Sequence, residues 1–178
     1  MKMQELYYLD KNGQTIGPML TDSGKIKLIT QNQPAPRGAT WTLGAKTITI
    51  MFDQWIDLYP TPLLDGLVVL YPRGSPEPYV HPDNAAIHNA NGSFRCHLKA
   101  PKPLSKHLPG YVHTPEQVAK LPTEGFWQVG WGCGDGIRDF SRPWMWANIG
   151  LHCDIYERRY FDPDTGKFDL EHFHTGRY

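Results

Sequence analysis

Apolar and polar residues alternate along most of this chain in short runs, and the period is nearly always two. Residues 5–9 and 15–20 are two such runs. Between them stand Asp10, Asn12 and Gly13, a hairpin signal because Asn and Gly accept positive φ. Residues 25–30 alternate charge with apolar side chains and predict a half-exposed strand. Residues 40–43 and 46–52 bracket Gly44 and predict a second hairpin, with Ile48 and Ile50 on one face and Thr47 and Thr49 on the other. Residues 66–71 are continuously apolar, as a strand buried on both faces is. A third hairpin is predicted from 85–89 and 93–99 around Asn91 and Gly92.

Period 3.6 shows in two places only. Phe52, Trp55, Ile56 and Tyr59 fall on one side of a helix, so two helical turns are predicted over 52–59, stopped by Pro60. Thr114 as N-cap and Pro115 at the first helical position predict a short helix over 114–121. The last third returns to strands, over 126–131, 144–160 and 167–174. Its final turn is marked by Asp162, Pro163, Asp164 and Gly166. Four of the six tryptophans lie between residues 127 and 146, which places much of the core there.

Composition sharpens this picture. Sixteen prolines and 17 glycines, spread over 178 residues, leave few windows in which a long helix survives. The expected fold is therefore mainly β, at the α+β margin: a single curved antiparallel sheet or open barrel of roughly seven to ten strands with one or two short helices. One domain over residues 1–178 is expected, with the Pro-rich stretch 72–82 as its one candidate sub-boundary.

Charge removes some partners. Lys and Arg number 18 and Asp and Glu 18, so nucleic acid and anionic membrane are disfavoured. The apolar run 67–71 is far below the ~20 residues that span a bilayer, and the N-terminal residues lack an apolar signal core. Three cysteines without CxxC spacing argue for a reducing compartment. A cytoplasmic protein without cofactor is expected.

Candidate chemistry is sparse. His172 and His174, two apart on a strand, have chelate spacing, but no third ligand of familiar spacing accompanies them. An exposed terminal strand explains them equally well. Cys133, between Gly132 and Gly134 in the Gly-rich segment 130–136, is the most enzyme-like residue. With Asp135 and a histidine such as His152 it would form a hydrolase or transferase site, although a wide glycine turn needs no chemistry. Trp144 and Trp146 with Arg138, Arg142, Arg158 and Arg159 form the remaining constellation. These residue types dominate protein–protein hot spots, stack on unpaired bases, and in the case of Trp also fill cores.

Two stretches resemble known families. Residues 7–18, from Tyr7 and Tyr8 through Gly13 to Gly17 and Pro18, resemble the opening hairpin of GYF-like domains, adaptor modules that bind proline-rich peptides. The likeness ends there: residues 19–25 run into strand-like sequence where that family has a helix, and no peptide site carries over. Residues 87–95, 160–168 and 175–177 are similar to turns in small bacterial β-rich proteins, including immunity proteins encoded beside polymorphic toxins. That resemblance implies a cytosolic, stand-alone binding protein and identifies no contact residue. The expected function is accordingly protein binding without catalysis, most specifically an immunity or inhibitor protein covering the active site of a toxin or enzyme. A small hydrolase or transferase using the 130–136 loop and a single-stranded nucleic-acid binder are the alternatives.

Overall fold

The computed structural model describes residues 1–27, 29, 32–111, 113–131 and 144–178. Among them are twelve strands in three four-stranded sheets, with one short helix. The mainly β class follows the composition. The strands are shared among three antiparallel sheets rather than joined in one, and none closes into a barrel. The chain divides into two compact units, Met1–Pro72 with Ala86–Cys96, and Arg73–Ala85 with His97–Tyr178.

The first unit holds the sheet β2-β1-β3-β4, formed by β1 (Gln4–Leu9), β2 (Thr15–Pro18), β3 (Gly38–Leu43) and β4 (Lys46–Met51). The Asp10 carboxylate accepts the amides of Asn12 and Gln14, so the first hairpin turns where its sequence demands. Trp41 is buried and donates its indole N–H to the Ala90 carbonyl at 2.6 Å. A second sheet has the order β5-β6-β7-β8, from β5 (Asp57–Pro60), β6 (Gly66–Leu70), β7 (Ala85–Asn89) and β8 (Phe94–Leu98). Every residue of β6 is buried, as its unbroken apolar run predicts.

Two local expectations change. Residues 52–59 are not helical. Phe52 N–H and Ile56 N–H donate to the Arg37 and Pro36 carbonyls, and residues 57–60 pair with β6 as β5. A window of two turns is too short to hold a helix alone, and the buried β6 offers hydrogen bonds that the helix would forfeit. Trp55, placed on the apolar side by that expectation, is 47% exposed. Residues 25–30 supply only an isolated bridge, Leu20 to Ile26, with Leu28 and Thr30 outside the described residues.

The second unit is built on the sheet β12-β11-β10-β9, from β9 (Gly125–Gly130), β10 (Met145–His152), β11 (Ile155–Phe161) and β12 (Phe168–Arg177). The strand-forming stretch from 145 to 161 is broken by a two-residue turn at Cys153 and Asp154, where Cys153 has φ +50°. The helix α1 (Pro115–Val118) is capped as expected, Thr114 and Gln117 satisfying each other's backbone N–H. It buries Val118 against Leu108, Leu151 and Ile155.

Candidate functional site

Over residues 155–159 β11 alternates: Ile155, Glu157 and Arg159 are buried, while Tyr156 and Arg158 are half-buried on the other side. Extending that parity through the cross-strand registers defines the outer face of the sheet. It carries Trp127 and Gln128 from β9, Trp146 and Asn148 from β10, Tyr156 and Arg158 from β11, and Tyr178 just beyond β12. Trp127 and Gln128 share this face because the β9–β10 register shifts between Asn148 and Ile149, a bulge that turns two successive side chains outward.

Three glycines make the face possible. Trp146 lies over Gly130, its register partner; Trp127 lies over Gly150; Tyr156 lies over Gly176, also its register partner. A Cβ at any of the three would overlap ring atoms. The rings therefore lie down on the neighbouring strand. Tyr178 completes the layer, 5.5 Å from Trp127 and 5.0 Å from Tyr156 between ring centroids.

A polar network crosses the same surface. Arg158 stacks its guanidinium on Trp146, 4.2 Å from the ring centroid, and donates its Nε–H to Asn148 Oδ1 at 2.9 Å. Asn148 Nδ2 donates to Gln128 Oε1 at 3.3 Å and to the Tyr178 hydroxyl at 3.0 Å. The Tyr178 hydroxyl in turn donates to Gln128 Oε1 at 3.1 Å. Burial pushes the Tyr178 phenol above its ordinary range, opposed by the Asn148 hydrogen bond and by Arg158. It stays a neutral donor at physiological pH.

The residues singled out from the sequence separate. Trp146 and Arg158 are together on this face. Trp144, immediately before β10, is half-buried. Arg138 and Arg142 lie outside the described residues, as do Cys133 and Asp135. Arg159 has to be removed from the set. Adjacent strand residues point to opposite faces, and Arg159 is 1% exposed. It ion-pairs with Glu157 at 3.1 Å and donates to the carbonyls of Lys102 and Asp169. Glu157 accepts from the Leu104 and Ser105 amides and from the Ser105 hydroxyl. This buried pair fastens the Pro-rich stretch 100–110 to the sheet.

His152 closes β10. Its Nδ1 is 3.2 Å from Cys153 Sγ, and its ring lies 5.3 Å from Tyr111 and 6.3 Å from His113. His172 and His174 are exposed on β12; His172 Nδ1 contacts Asp169 Oδ1 at 3.1 Å, and His174 stands opposite Arg158. Among the described residues, no group of three or more His, Cys, Asp or Glu side chains is arranged to hold a metal ion. None of their helices is long and apolar enough to cross a membrane.

Trp127, Tyr156, Tyr178 and the amides of Gln128 and Asn148 are the members that sequence reasoning missed. Their signal is the recurrence of a lone glycine inside a strand (Gly130, Gly150, Gly176), which marks a close approach by another group.

No family model and no curated protein matches this chain. Among solved structures, a chain in the complex of Tne2 with Tni2 is similar, with a TM-score of 0.61 over 98% of this chain and 99% of that one. The two sequences are 11% identical, so the likeness is one of fold.

Proposed function

We propose that this protein binds another protein through the ring-bearing face of its second unit. Most specifically, it would act as an immunity or inhibitor protein that covers the active site of a partner toxin or enzyme. The observation that carries the reading is the layer of Trp127, Trp146 and Tyr156, each seated on a glycine and left half-exposed. Rings held flat on a sheet lose little further conformational freedom on binding, and Trp, Tyr and Arg are the residues that concentrate interface energy. The structural neighbour, a protein found in a two-protein complex, supports a protein partner. Trp146 with Arg158 supplies the contacts, with Trp144 immediately before β10; Arg138 and Arg142, outside the described residues, belong to the same proposed set.

The test is isolation of a stoichiometric partner from the native cell, followed by calorimetry with purified components. Trp127→Ala and Trp146→Ala are each expected to weaken the complex by ~2 kcal/mol, about 30-fold. A partner whose affinity ignores both substitutions would overturn the assignment. So would a ligand whose affinity falls steeply with salt as nucleic acid requires.

A further inference from the structure

We propose that the Arg158 guanidinium is the seat for a carboxylate of the partner, an Asp or Glu side chain on an extended acidic segment laid across the rings. This rests on the protein-binding reading and names its chemistry. The first observation is an imbalance. Of the other arginines among the described residues, Arg73, Arg95, Arg159 and Arg177 each pair with a carboxylate, Glu124, Asp65, Glu157 and Asp154 respectively, and the exposed Arg37 donates to the Asp53 carbonyl. Arg158 is half-buried and has no carboxylate partner among the described residues. Its hydrogen-bond acceptor is the neutral Asn148 amide.

The second observation is its posture. The Nε–H is tied to Asn148 and the plane is stacked on Trp146, which fixes the fork from two directions. The two Nη groups have no acceptor among the described residues. A guanidinium held this way presents parallel N–H donors at the spacing of a carboxylate's oxygens. The third observation is the surround. Gln128, Asn148 and Tyr178 satisfy one another as a neutral network. Among the described residues the face carries no acid: Glu157 is buried on the opposite side, and Asp154, at the hairpin turn, is held by Arg177. An incoming carboxylate meets one uncompensated cation, flanked by rings that exclude water and strengthen the pair. Nucleic acid would need several such cations for its successive phosphates; among the described residues this face offers one arginine.

The full-length chain, labelled with nitrogen-15, reports directly through its Arg Nε–H and Trp indole N–H resonances. The probes are a blocked pentapeptide of alternating Glu and Tyr, its counterpart with Gln for Glu, and an oligothymidylate. The acidic peptide is expected to shift the Arg158 and Trp146 signals saturably, at least about tenfold more tightly than the Gln peptide. Arg158→Gln is expected to abolish the preference. Arg158→Lys, which keeps the charge and loses the fork, should retain only part of it. Equal response to the two peptides, no response at Arg158, or a stronger response to the oligothymidylate would each overturn the proposal. With the native partner the two readings separate. If Trp127→Ala weakens the complex and Arg158→Gln does not, the face stands and the carboxylate seat falls; if neither weakens it, both fall.

Discussion

Arg158 and Arg159 are neighbours in the chain and opposites in the molecule. Arg159 lies on the inner face, 1% exposed, with Glu157 and two backbone carbonyls around it. Arg158 lies on the outer face, stacked on Trp146 and tied to one neutral amide. The inner pair consumes its polarity in holding the chain to itself. The outer arginine has its geometry fixed and no carboxylate partner among the described residues. One β-sheet thus separates a self-paired arginine from an arginine stacked on an outward ring by the parity of its residues.

The sharpest way to break that comparison is to remove one inner partner. Glu157→Ala strands Arg159 and deprives the Leu104 and Ser105 amides of their acceptor, so a loss of ~3–5 kcal/mol is expected in urea denaturation. Replacing both Glu157 and Arg159 by apolar residues should not restore wild-type stability, because those amides remain unpaired. Second in size is Gly150→Ala. Its methyl displaces the Trp127 ring; about 1–3 kcal/mol is expected, together with a loss of near-UV dichroism and of partner affinity. Third, Arg158→Gln should cost less than ~1 kcal/mol of folding stability, since a half-exposed cation–π contact is worth no more. A loss as large as that at Glu157 would show the two faces to be energetically alike.

The smallest effect concerns pH. The Tyr178 phenol is raised in the folded protein, mainly by burial. A raised folded-state pKa contributes stability that is complete below the unfolded value, near pH 10, and is lost as pH rises through the folded value. Stability should therefore decline on the alkaline side of pH 10, and Tyr178→Phe should flatten that decline. A wild-type curve identical to that of the variant would remove Tyr178 from the polar network.

How much of this was readable from residues alone depended on whether the determining contact was local. Turn chemistry is local. Asn12 with Gly13 and Asp162 with Gly166 announced their hairpins, and Thr114 with Pro115 announced the helix cap. Residues 52–59 misled because Phe52, Trp55, Ile56 and Tyr59 have helical spacing while their backbone partners come from residues 36–37 and from β6. The turn at Cys153 and Asp154 gave no cue, since a positive φ at cysteine has no compositional signature. The site was half visible. Trp146 and Arg158 drew attention by type. Arg159 looks equivalent to them in the sequence because its burial depends on the stretch 100–110, which is remote in the chain, and on Glu157. Trp127 and Tyr178 joined only through the sheet registers.

The seating of each ring on a glycine ties distant positions together in descent. A relative that carried a side chain at Gly130, Gly150 or Gly176 would have to shrink or lift Trp146, Trp127 or Tyr156 in the same step. These positions should thus drift as couples: 130 with 146, 150 with 127, 176 with 156. A lineage that altered one member of a couple would surrender the flat aromatic pavement along with it.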